Sequence, residues 1–187
     1  IALEVKAISN PVYPLKESES KNLLKLYLND VGLLTNILYG ANIRAILDDD
    51  KSINLGSVYE SVVASELIAH GFELYYYDNR NKGEVDYLID DYENLCVFPI
   101  EVKSEKNVKA RSLAEYRKKY DPKYSVKTSM KIETDGKEVL NIPLYLIASL
   151  ENFVNEEKSD SVFDDIKTGL NQAIEYEKEN PKTKTTE

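Results

Sequence analysis

Residues 83–104 read GEVDYLIDDYENLCVFPIEVKS. Two β-type runs, GEVDYLI (83–89) and LCVFPIEVKS (95–104), flank a polar turn, DDYEN (90–94). Strand side chains alternate faces with a period of two. Glu101 and Lys103 therefore project from one face, and Ile100 and Val102 from the other, where they can be buried. If the runs pair as a hairpin, Asp86 approaches Glu101 from the neighbouring strand. Two carboxylates and an ammonium then converge on one spot.

That convergence has a chemical use. Mg²⁺ takes hard oxygen ligands at roughly 2.0–2.1 Å and keeps several of its waters. Asp86, Glu101 and the backbone carbonyl of Val102 could supply such oxygens to Mg or Mn. A bound metal lowers the pKa of a coordinated water and neutralises charge on a phosphoryl oxygen. Lys103 could orient the attacking water or bind the scissile phosphate. Asp86, fourteen intervening residues and then Glu101-Val102-Lys103 resembles the PD-(D/E)XK signature of the restriction-endonuclease-like superfamily. The alternative is a surface hairpin whose charges are simply solvated.

Length and composition bound the rest. A chain of 187 residues with 42% apolar content suits one globular domain with appendages. No run of eighteen apolar residues is present, so no membrane span is expected, and no signal peptide is evident. One cysteine, Cys96, leaves no internal disulfide framework, and it reads as a small core residue. A single His and a single Cys set a His/Cys zinc site aside. A reducing cytoplasm is the expected compartment. The chain begins at Ile1 and its one methionine is Met130, so we expect a piece of something larger. No GxxxxGK[ST] phosphate loop occurs in it.

The net charge of −9 argues against strong non-specific nucleic-acid binding over the whole surface. The charge is uneven, however. Residues 101–131 hold ten Lys/Arg against four Asp/Glu, whereas residues 151–187 hold ten acids against five bases. A basic patch beside the acids would help to hold a phosphate backbone. It is equally the pattern of a solvated helix face.

Upstream, residues 1–22 read as an irregular linker, with Pro11 and Pro14 breaking helix and KESESKN polar. KLYLNDVGLL (25–34) alternates as a short strand that turns at Asp30 and Gly32, and DDDK (48–51) is a loop. INLGSVYESVVASELIAHG (53–71) is the clearest helix, with an apolar face of Val58, Tyr59, Val62 and Val63 and a stop at Gly71. At about 100° per residue, Glu66 falls inside that stripe, while Glu60 lies at its edge, about 20° from Leu67. A buried carboxylate needs a partner. Both glutamates are thus candidates to face the site or to bind an internal cation, with Glu60 preferred as third acid and Glu66 as a structural partner. His70, at the helix end, can cap the last carbonyls. FELYYYDN (72–79) is a strand whose tyrosines pack in the core.

Downstream, EKNVKARS is a basic loop and LAEYRKKY (113–120) a short helix burying Leu113, Tyr116 and Tyr120, ended by Pro122. YSVKTSM (124–130) is a strand, TDGK (134–137) a turn, and EVLNIPLYLIASL (138–150) a last apolar run whose Pro143 favours an edge. The predicted class is α/β. A helix, three strands, a helix and a strand make an αβββαβ core, a mixed central sheet flanked by helices, with an extra strand at each end. In the acidic tail, Val162, Ile166, Leu170 and Ile174 step by four along an amphipathic helix, with Ser161 as its cap.

The string KLYLNDVGLL, LGSVYESVVASELIAHGFELYYY, GEVDYLI, PIEVKS, SLAEYRKKY and NIPLYLI resembles the uncharacterised C-terminal domain of a prokaryotic family of AAA-type ATPases. The resemblance covers residues 12–150. It implies a restriction-endonuclease-like fold, with Glu60, Asp86, Glu101 and Lys103 in the catalytic positions. The Gly56-x-x-x-Glu60 pattern matches the helix glutamate that many such enzymes place beside their metal. The resemblance also implies an upstream ATPase and winged-helix part joined through residues 1–22, a domain at 23–150 and a tail at 151–187. No glutamine stands in the short helix where many nucleases of this fold have one, and Tyr116 or Arg117 would take its place. Two functions follow. One is a Mg-dependent nuclease domain acting on DNA under the control of its ATPase. The other is a non-catalytic module that binds DNA, a protein or its own ATPase domain, with the tail helix as a docking element.

Overall fold

The apolar runs assemble into one seven-stranded mixed sheet in a computed structural model. It describes residues 2–40, 42–47, 53–79, 83–104, 111–130 and 139–150, with 168–169, 171–172 and 175–176 in the tail. Strands β1 (Ala2–Ile8), β2 (Glu19–Leu28), β3 (Tyr75–Asn79), β4 (Gly83–Asp91), β5 (Cys96–Lys103), β6 (Val126–Ser129) and β7 (Leu140–Pro143) lie in the order β2-β1-β3-β4-β5-β6-β7. Helices α1 (Val31–Tyr39), α2 (Ile43–Leu47), α3 (Gly56–Ala69) and α4 (Arg111–Tyr120) surround it. The class is α/β, and α3-β3-β4-β5-α4-β6 keeps the predicted order of helix, three strands, helix and strand.

Alternation builds two apolar faces. Tyr87, Ile89, Phe98, Ile100, Val102 and Val126 pack beneath Val63, Ala64 and Leu67 of α3. Val85, Leu88, Val97, Tyr75 and Tyr77 pack beneath Leu113 and Tyr116 of α4. Each large side chain so buried contributes about 1.5–3 kcal/mol. All three tyrosines at 75–77 are in the core, as expected. On the α4 face, Tyr77 meets Tyr116 and Tyr120 edge-on at centroid distances of 5.2 and 5.6 Å.

Residues 2–8 and 19–22 are not the irregular linker that Pro11 and Pro14 suggested. They belong to an antiparallel hairpin, with Ala2 opposite Leu28, and β1 pairs in parallel with β3. The two prolines fall in the connection between β1 and β2, so they break the chain only there. That connection is anchored from below, because the buried Leu15 amide donates to both carboxylate oxygens of Asp90, at 3.1 and 3.2 Å.

Other expectations shift in smaller ways. The chain does turn at Asp30, which caps α1 by accepting from the Leu33 amide at 2.8 Å, but Gly32 lies inside the helix and not in a turn. Asp90 and Asp91 extend β4, and the turn is Tyr92–Leu95, closed by Asp91 accepting from the Glu93 and Asn94 amides. Cys96 is half-exposed rather than a core residue, and burial together with Asp91 pushes its thiol up to about 11. His70 does cap α3, its Nδ1 lying 2.8 Å from the Glu66 carbonyl oxygen. Pro143 ends edge strand β7, and Leu144–Ser149 continues as a 3-10 helix. Among the described residues no helix is long and apolar enough to cross a membrane. The loops at 48–51 and 134–137 lie outside the described residues, as does most of the 161–180 helix.

Candidate functional site

Asp86 owes its position to an irregularity in β4. Pairing of β3 with β4 runs Tyr75 to Leu88 and then Tyr77 to Val85, so Asp86 and Tyr87 together face Tyr76. Such a bulge inserts a residue and re-aims side chains. Val85 and Leu88 accordingly belong to the α4 face, while Tyr87 turns to the α3 face. On the other side, β4 and β5 pair in register from Asp91–Cys96 to Tyr87–Ile100. One step further, where no regular pair forms, stand Asp86 and Glu101. The Asp86 carboxylate there accepts from the Val102 amide at 2.7 Å.

Glu101 and Lys103 leave β5 on the face opposite Ile100 and Val102, as alternation requires. The Lys103 ammonium donates to Glu101 Oε1 at 2.5 Å. The other carboxylate oxygen, Glu101 Oε2, is buried and has no hydrogen-bond partner among the described residues. Val102, whose carbonyl is the expected ligand, touches the site through its amide, which donates to Asp86.

The third acid comes from α3. Of the expected stripe the helix buries Val58 and Val63, while Tyr59 and Val62 are only half-buried against the core. It packs through Val58, Ser61, Val63, Ala64 and Leu67, because small Ser61 and Ala64 allow close approach to the sheet. Glu60 lies among these positions and is half-buried, whereas Glu66 is exposed and is no partner for the site. Glu66 instead lines an open groove of about 450 Å³ with Asn29, Asp30, Val31, Val62 and Ser65. Glu60 is held from an unexpected direction. Tyr27 of β2 donates its hydroxyl to Glu60 Oε2 at 3.1 Å, and Tyr87 donates to the Glu60 carbonyl at 2.8 Å.

The four predicted groups share one electrostatic field. Burial, then the charges of Glu101 and Glu60, push the Asp86 carboxyl up to about 8 against the pull of the Val102 amide and Lys103. Burial also raises Glu101, although Lys103 and the Asp86 backbone amide favour its charged form. Burial would lower the Lys103 ammonium, but Glu101, Asp86 and Glu60 together hold it above the ordinary lysine value. Asp86, Glu101 and Glu60 thus all act on Lys103, and Asp86 stays raised despite it, so a further positive charge beside Asp86 would relieve it.

The donors suit a hard divalent cation, being carboxylate oxygens with one buried oxygen unsatisfied. They do not enclose one as they stand. Among the described residues no group of three or more His, Cys, Asp or Glu side chains is arranged to hold a metal ion.

Residues outside the predicted set frame the site. Lys25 of β2 pairs with Glu84 and lies 4.9 Å above the Tyr76 ring. Its partners together hold its ammonium above the ordinary lysine value, although burial opposes them. Lys127 of β6 is buried and sits beside Glu101 in the parallel ladder. Alternation in KLYL would place Lys25 and Tyr27 on one face, but nothing local indicates that the face looks toward Glu60. Near the sheet end Gly56, the first residue of α3, lies close to Ser104, and Gly83 lies against Ser112 of α4.

No curated protein and no solved structure matches the chain. Residues 55–146, which carry α3 through β7 and with them Glu60, Asp86, Glu101 and Lys103, match the model of a family described as a domain of unknown function, DUF4143.

Proposed function

We propose that the domain is a metal-dependent phosphodiesterase of the PD-(D/E)XK kind, acting on DNA and working as the C-terminal part of an AAA-type ATPase. One observation carries this reading: among the described residues Glu101 Oε2 is buried without a hydrogen-bond partner, beside Asp86 and Lys103, both of which also feel the charge of Glu60. Leaving a buried charged oxygen unsatisfied costs free energy, and a cation is the ligand that offsets that cost. Asp86 and Glu101 would hold Mg²⁺ or Mn²⁺, with Glu60 as the third acid. The bound ion would supply an acidified water and neutralise phosphoryl charge. Lys103, released from Glu101 Oε1, would orient that water or steady the scissile phosphate. Tyr87 and Val102 keep Glu60 and Asp86 in place through their hydrogen bonds. The order α3-β3-β4-β5-α4-β6 and the basic run from Lys103 to Lys131 support the same reading.

The test is a cleavage assay of the 187-residue chain with Mn²⁺ on single-stranded, duplex and branched DNA. Nicking is expected, and Glu101→Ala and Lys103→Ala should each reduce it by about 10²-fold or more. Cleavage that survives both substitutions would place the chemistry elsewhere.

A second reading has its own observation. The acids are not gathered around a common point, and Lys103 already closes on Glu101. A non-catalytic module that binds DNA, protein or its own ATPase would tolerate that arrangement. It predicts no Mn²⁺ binding by calorimetry in either the parent or Asp86→Ala.

A further inference from the structure

The hairpin β1–β2 lies at one edge of the sheet, and two strands separate β2 from β4. Its residues also fall outside the span 55–146 that matches the family. Even so, side chains from one face of β2 cross to the site. Tyr27 is buried, stacks near Tyr87 at a centroid distance of 5.7 Å and donates to Glu60 Oε2 at 3.1 Å. Lys25, two residues earlier, reaches Glu84 on β4. The Glu60 carboxylate therefore depends on a group from another part of the chain for its orientation.

We infer that Tyr27 is a positioning residue of the site. Its hydroxyl fixes the Glu60 carboxylate toward Asp86, making the N-terminal hairpin part of the metal-binding apparatus. This rests on the proposed function. A carboxylate on a helix surface has several rotamers open to it. Tying one oxygen to a buried hydroxyl selects among them and leaves the other oxygen for a ligand. Outer groups that orient metal ligands typically change metal affinity by about 10–100-fold when removed. Phenylalanine keeps the ring and its contact with Tyr87, so Tyr27→Phe removes the hydroxyl alone.

The experiment is Mn²⁺ titration by calorimetry of the full chain, Tyr27→Phe, Glu60→Gln and the double variant, with the metal-free melting temperature of each. Tyr27→Phe is expected to weaken Mn²⁺ roughly tenfold in the parent and to change affinity little in the Glu60→Gln background. That coupling is what separates action through Glu60 from general damage to the fold. Equal losses in both backgrounds, or unchanged affinity in the parent, would overturn the inference and leave the proposed function standing. A parent that binds no Mn²⁺ would overturn both.

Discussion

Asp86 is where burial and charge conflict most. Its carboxyl titrates near 3.8 in an ordinary setting, and burial with Glu101 and Glu60 pushes it up to about 8 in the fold. The folded chain thus keeps this proton over a range where the unfolded chain has lost it. Between about pH 4 and pH 8 the fold binds more protons, so its stability falls as pH rises. Asp86→Asn keeps an acceptor for the Val102 amide and removes the charge. We expect the variant to outlast the metal-free parent in urea at pH 8 but not at pH 4. The gap should be on the order of 2 kcal/mol or more. Parallel urea midpoints across that range would mean that Asp86 is not shielded as described. Mn²⁺, if bound, should narrow the gap, since a cation offsets the same repulsion.

At the scale of elements, two contacts outside the acids set where the strands and helices lie. Gly83 has φ +106, and a Cβ there would come within 2.9 Å of Ser112 Oγ. Gly71 also has positive φ, at +87, but a Cβ there would meet nothing within 4 Å. Gly83→Ala should therefore cost more than Gly71→Ala, about 2–3 kcal/mol against about 1 kcal/mol. Guanidinium denaturation of the two variants checks the order, and equal losses would mean that α4 shifts easily against β4. Asp90 is the second contact. Asp90→Ala leaves the buried Leu15 amide without its acceptor, so a loss of about 1–3 kcal/mol is expected in the same measurement.

For the molecule as a whole, the core reaches beyond the matched span at both ends. Strand β3 is interior, paired with β1 as well as β4. Val5, Ala7 and Tyr27 belong to the core beneath α3, joined by Ile147 and Leu150 from beyond the match. Ile8 and Leu15 belong to the core beneath α4. A fragment of residues 55–146 would expose the β3 edge and all of this apolar surface. It should show no cooperative unfolding transition by circular dichroism, whereas the full chain should show one. A cooperative transition in the fragment would mean that the hairpin is dispensable for the fold.

Much was legible in residue order alone. Period-two alternation determined that Ile100 and Val102 leave one face of β5 while Glu101 and Lys103 leave the other, although Glu101 is buried there too. A polar turn between two β-type runs determined the hairpin, and hence that Asp86 and Glu101 stand on neighbouring strands. Gly71 after His70 determined where α3 stops. Other features were decided by tertiary contact. The bulge at Asp86 and Tyr87 depends on how β3 pairs with β4, which local alternation does not register. The buried face of α3 was set by close approach at Ser61 and Ala64, which an apolar stripe does not weigh, and this left Glu60 half-buried and Glu66 in water. The role of Tyr27 was hidden for the same reason: a hydrogen bond across 33 positions has no signature in the residues between. Local pattern fixes which way a side chain leaves its own strand. Which partner it finds depends on how separate elements pack, and that is a property of the assembled sheet.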